Sequence, residues 1–134
     1  MDEDETFETG NTVSLPDGVH RGIIKDVHGE QTENKATGEV YKYLQLEITP
    51  EAQPEMNLRY GCPLPDGRPI TPASKLGRLL MAFGLQVPGP SYTIKNMRDA
   101  LEGKTVRFQT MNAPAKKGGG SFANVVEDSI KPSR

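Results

Sequence analysis

"TPASKLGRLLMAFG", residues 71–84, reads as a helix in a chain whose other apolar segments mostly alternate, and its place among them decides the fold. Thr71 suits an N-cap and Pro72 the first helical position, where a missing N–H costs nothing. Leu76, Leu79, Leu80 and Phe83 recur at helical spacing and form one apolar stripe, which belongs to a core rather than a partner groove. Gly84 ends the helix. Three strands are predicted before this helix and two after it.

Working upstream, "PLPDGRPI" (63–70) breaks regular structure, and "MNLRYGC" (56–62) alternates Met56, Leu58 and Tyr60 with Asn57, Arg59 and Gly61. "VYKYLQLEIT" (40–49) is the clearest strand. Leu44, Leu46 and Ile48 share one face, and Tyr41, Tyr43, Gln45 and Glu47 share the other, so one face is buried and one is wet. "HGEQTENKATGE" (28–39) is polar and predicts a long loop carrying Lys35. "VHRGIIKDV" (19–27) predicts a first strand with Val19, Ile23 and Val27 on one face and a bulge or bend at Gly22. Working downstream, "SYTIKNMRDALEGK" (91–104) predicts a second short helix, with Ile94, Met97 and Leu101 inward and Gly103 as the stop. "TVRFQTM" (105–111) sets Val106, Phe108 and Thr110 against Arg107, Gln109 and Met111. "SFANVV" (121–126) predicts a fifth strand, running on towards Ile130.

Strands that cluster, with helical matter only between the third and fourth, exclude the alternation of a parallel sheet. Five short antiparallel strands close most economically as a small barrel whose open end is plugged by a helix. That plan is the OB-fold, an all-β, five-stranded Greek-key barrel with a helical insert. Its ligand surface lies on the second and third strands and on the 1–2 and 4–5 loops.

The chain has 134 residues, enough for one domain. Its net charge of −2 hides an asymmetry. Residues 1–17 hold six acidic residues and no base, leaving 12 acidic against 16 basic residues elsewhere, or +4. Residues 1–16 accordingly read as a disordered acidic tail and 17–132 as the folded domain. The tail either solubilises, competes with nucleic acid for the basic face, or docks a protein partner. No run suits a membrane span, and the acidic N-terminus is unlike a signal peptide, so a cytoplasmic location is expected. Cys62 stands alone, which excludes an internal disulfide and a thiolate cluster for zinc. His20 and His28 receive no metal or acid/base role, and no cofactor is expected.

"MNAPAKKGGGSFANVV" (111–126) is not a phosphate-cradling loop, because its lysines precede its glycines and a strand follows where a helix would be required. It reads as the 4–5 hairpin. Carboxylates are scattered over tail, loops and helix ends, and no nucleophile motif is present, so an enzyme is not expected. What remains is basic and aromatic. Tyr41 and Tyr43 point the same way, Arg59 and Arg107 lie on polar strand faces, Lys35 is in the 1–2 loop, and Lys116 and Lys117 are in the 4–5 loop. Single-strand binding needs this pairing, since aromatic faces stack on any base and cations follow the phosphates. Each residue has a plainer use. The tyrosines can cover the sheet or pair across strands, the lysines can be a solvated hairpin tip, and Tyr60 suits the core. Phe122 is core if Phe122, Asn124 and Val126 face inward, and a third stacker if Ala123 and Val125 do.

"LPDGVHRGIIKDV", "YKYLQLEI", "LLMAFGL", "ALEGKTVRFQT" and "SFANVVEDSIKP" together resemble small phage and prophage proteins of the single-stranded-DNA-binding type. The likeness spans about Leu15 to Pro132 and rests on turn and strand punctuation. It implies an OB-fold and sequence-independent binding of single-stranded DNA, or RNA, in replication or recombination. Tyr41, Tyr43 and Phe122 are the stackers it implies. The sequence departs from that pattern in ending "IKPSR" rather than in an acidic tail; its acidic block is N-terminal. The alternative is a non-catalytic OB-fold subunit serving as a structural part or adaptor of a phage or cellular complex.

Overall fold

The computed structural model describes residues 3–4, 15–114 and 121–133. The elements run β1 (Gly18–Glu33), β2 (Val40–Pro50), β3 (Leu58–Pro63), α1 (Lys75–Ala82), α2 (Ile94–Leu101), β4 (Thr105–Pro114), β5 (Ser121–Val125) and β6 (Lys131–Pro132). The strands form one antiparallel sheet in the order β3-β2-β1-β4-β5, with β6 beside β4. The fold is thus mostly antiparallel β with two short helices.

Alternation places the core. Leu44, Leu46 and Ile48 of β2, with Val106, Phe108 and Thr110 of β4, are buried, as their period of two predicts. β1 departs from its expected phase. Ile24 and Val27 are buried, while Val19 and Ile23 are exposed. The cause is a register shift between Ile24 and Asp26, which moves the inward set from even to odd positions. Gly22, where the bend was expected, is instead the point of closest approach. It pairs with both Pro50 of β2 and Val106 of β4. A Cβ there would stand 2.5 Å from the Thr49 carbonyl oxygen and 3.1 Å from Phe108 Cε1.

The predicted loop over 28–39 is also shorter than its polarity suggests. Residues 28–33 continue β1 and pair with β2 out to Glu33 and Val40. From Gln31 on, this ribbon runs past the core and is exposed on both faces, so apolar alternation is lost while the ladder persists. Only 34–39 turn. There Asn34 Oδ1 accepts from Ala36 N at 3.0 Å, and Gly38 takes φ +74°.

α1 begins later than Thr71. Ser74 is the N-cap, its Oγ accepting from Gly77 N at 3.0 Å and donating to the Thr71 carbonyl at 2.8 Å. Residues 71–74 form a turn that uses the Thr71 carbonyl, so the cap falls to the next hydroxyl. α2 starts in a capping box between Thr93 and Asn96. It replaces β4 along the far edge of β1: Arg98 Nε donates to the Val27 carbonyl at 2.9 Å, and Glu102 Oε2 accepts from Val27 N at 3.4 Å.

The chain does not run straight on from β5. Asp128 turns it at φ 65°, Ile130 enters the core, and β6 returns along β4. Among the described residues the sheet does not close by backbone pairing: β3 and β5 lie near each other at the two ends of the strand path but share no ladder. β3 is six residues and β5 five. Side chains span the seam instead. Asp128 N donates to Tyr60 Oη at 3.3 Å, and Arg78 of α1 binds Asp128 at 2.8 Å and Glu127 at 3.5 Å.

Candidate functional site

Strand parity puts Tyr41 and Tyr43 on the outer face of β2, Tyr41 exposed and Tyr43 half-buried between Glu30 of β1 and Pro63 of β3. Both line one groove of about 830 Å³ with Gln31, Glu39, Lys42, Pro63, Pro65 and Asp66. The Tyr41 hydroxyl donates to Glu39, which pushes its phenol pKa up. A second depression of about 420 Å³ shares Lys42, Leu64 and Pro65 with the first and adds Arg68 and Tyr92. The two make a path from the β1–β2 ribbon to the start of α2. Sequence reasoning missed Lys42, because alternation puts it on the core side. It sits beyond the core, where a long side chain can lay its stem on apolar surface and keep its ammonium wet.

The rest of the β1–β2–β3 outer face is carboxylate-rich. Asp26 lies opposite Glu47, and Glu47 opposite Arg59. His28 joins Asp26 at 2.5 Å through Nδ1 and Glu30 at 2.9 Å through Nε2, and Arg59 is ion-paired to the same Glu30. Arg59 is therefore engaged by a carboxylate within the face where phosphate contact was expected of it.

The hydrogen bonds that His28 donates to Glu30 and then Asp26 raise its pKa above 6.5, and His28 first and Arg59 second hold Glu30 below 4.5. The contribution of His28 to stability is complete below pH 6.5 and lost as pH rises through its higher folded value. That of Glu30 is complete above 4.5 and lost as pH falls through its lower folded value; Asp17, held low by Asn112, adds to the same acid limb. Thermal melts are expected to peak between about pH 4.5 and 6.5, and His28→Gln should flatten the alkaline limb. An alkaline limb identical in His28→Gln and the parent would show that the triad is not coupled to folding.

The other expected residues fall apart in space. Arg107 is exposed on β4, opposite Arg21 and Lys131, on the far side of β1 from Arg59. Lys35 is exposed at the tip of the β1–β2 turn. Lys116 and Lys117 lie outside the described residues, as does the Phe122 side chain. The Phe122 backbone pairs with Ala113, and Ala123 and Val125 are the β5 residues packed on the core.

Tyr60 and Cys62 are core groups: burial pushes the Tyr60 phenol up to about 12 and the Cys62 thiol up to about 11, and Lys75 Nζ stands 4.2 Å over the Tyr60 ring. A thiol so buried and so weakly acidic is a poor nucleophile. His20 is a packing residue, its ring 5.9 Å from Phe108 and its Nε2 2.8 Å from the Pro16 carbonyl. Among the described residues no group of three or more His, Cys, Asp or Glu is arranged to hold a metal ion, and no helix is long and apolar enough to cross a membrane. No protein-family model matches the chain, and no curated protein matches it significantly.

Proposed function

We propose that the protein is a small OB-type barrel that binds single-stranded DNA with little sequence preference, as in replication or recombination. The observation that carries this reading is the pair Tyr41 and Tyr43 in one open groove that Lys42 also lines, with Arg68 along its continuation. Two aromatic faces two residues apart on a strand offer stacking platforms in series, and the two cations offer phosphate contacts. The groove lies on β2 and beside the end of β3, the region such barrels use for oligonucleotides. The strand order, with β1 shared between both halves of the sheet and side chains closing the β3–β5 seam, is compatible with that barrel. Phe122, next to the core-packed Ala123 in β5, is a third candidate stacker.

The test is fluorescence anisotropy with labelled oligo-dT, oligo-U and a duplex. Binding to single strands but not to duplex, weakening steeply with salt, is the expected result. The second reading, a non-catalytic adaptor subunit, is favoured by one feature: Asp26, Glu30 and Glu47 make much of the β1–β3 face acidic, which suits a basic protein segment. Binding to no nucleic acid would select it.

A further inference from the structure

The depression that continues the tyrosine groove is open to solvent, yet much of its lining is apolar. Ile70, Ile94 and Met97 line it, and the two isoleucines are only half-buried. Pro69, Pro88 and Pro90 line it too, and their ring-locked backbone makes those walls stiff. The segment 86–92 is folded on itself. Tyr92 Oη donates to the Gln86 carbonyl at 2.9 Å, and a Cβ at Gly89 would stand 2.6 Å from that same oxygen. The pocket is therefore formed before any ligand arrives. Its volume of about 420 Å³ falls within the range of small-molecule sites.

Its charge is one-sided. Lys42 and Arg68 line it and, among the described residues, no carboxylate does. Neither cation is ion-paired among the described residues. The tyrosine groove differs, because Glu39 and Asp66 line it. Gln86 and Ser91 add a carboxamide and a hydroxyl, each able to donate and accept. A stiff apolar slot with a few hydrogen-bonding groups and two cations suits a flat ring with a polar edge and an attached anion. A nucleotide is such a ligand.

We propose that this pocket takes one nucleotide, its base inserted against Ile70 and Ile94 and its phosphate held by Lys42 and Arg68. That this nucleotide belongs to a bound strand rests on the single-strand reading above. Lys42 lines both groove and pocket, so a strand stacked on Tyr41 and Tyr43 passes directly from one to the other. Stacked bases present their faces and are taken indifferently. An inserted base brings its edge to Gln86 and Ser91, as unstacked bases do where single strands are read by sequence. One position of an otherwise indifferent strand is thereby selected.

Full-length isotope-labelled protein is titrated with thymidine monophosphate, deoxyribose phosphate and oligo-dT of about 10 nucleotides, a length within the site sizes of OB barrels. Amide shifts locate each ligand. Thymidine monophosphate is expected to move Gly89, Ser91, Tyr92 and Ile94, and deoxyribose phosphate to bind at least about tenfold more weakly for want of a base. Arg68→Gln should weaken the mononucleotide several-fold, whereas Tyr43→Ala should weaken only the oligomer. The oligomer should move the same four amides together with those of residues 41–43. Deoxyribose phosphate binding as tightly as the nucleotide overturns the proposal, because the pocket would then hold an anion alone. Oligomer shifts confined to residues 41–43 also overturn it and leave the groove reading standing. A parent that binds the mononucleotide at these amides but no oligomer overturns the single-strand reading and assigns the pocket to a free nucleotide.

Discussion

Gly22→Ala is expected to lower stability by about 3 kcal/mol, at the upper end of what overpacking a close-packed site costs. The added methyl would sit 2.5 Å from the Thr49 carbonyl oxygen and 3.2 Å from Pro50 Cα, both backbone, and 3.1 Å from Phe108, a buried core ring. None is the loose end of a side chain. Relief requires parting β1 from β2 where β4 is also attached. Gly29→Ala is the control: its methyl would meet only Ile94 Cδ1, at 2.8 Å, and that tip can swing away. Thermal or urea unfolding should show the Gly22 variant melting more than about 8 °C below the Gly29 variant. Equal midpoints would mean that the crossing of the two ladders is not tight.

Replacing both Tyr41 and Tyr43 by alanine is expected to cost single-strand affinity at least about thirtyfold, since each stacked base is worth about 1–3 kcal/mol and about 1.4 kcal/mol is tenfold. The loss should appear equally on oligo-dT and oligo-U, because a π-face serves any base, and should leave the salt slope almost unchanged. Both residues lie on the outer face of β2, Tyr41 exposed and Tyr43 half-buried, so the fold should survive. Circular dichroism and the melting midpoint check that. Affinity within about threefold of the parent would return both tyrosines to covering the sheet, their plainer use.

Where one face of a strand is buried, the chain could be read residue by residue. Leu44, Leu46, Ile48, Val106, Phe108 and Thr110 are inside as their alternation required. β1 resisted because the register shift after Ile24 splits it into two phases, and no residue type announces which side of Gly22 the extra residue falls on. The ribbon at 28–33 resisted for the opposite reason: its exposed residues are polar, and from Gln31 on both faces are in water, so there is no apolar pattern to read. Thr71 and Ser74 are both good caps, and the choice between them depends on a turn that forms only when 71–74 fold. The tyrosine pair was legible because a period of two puts Tyr41 and Tyr43 on one face at any register. The partners of the cations were not. Arg59 meets Glu30 across 29 positions, and Arg107 meets Arg21 and Lys131, through strand pairings that a linear pattern does not encode.

The corner at Gly22 has a consequence for how the molecule comes apart. One strand serves both halves of the sheet, with β4 on its first residues and β2 on the rest, and they overlap at Gly22 and Ile23. Neither half can peel away without disturbing the strand on which the other is built. The two halves are therefore expected to unfold as one cooperative unit, with partial opening among the described residues confined to the tip of the β1–β2 ribbon.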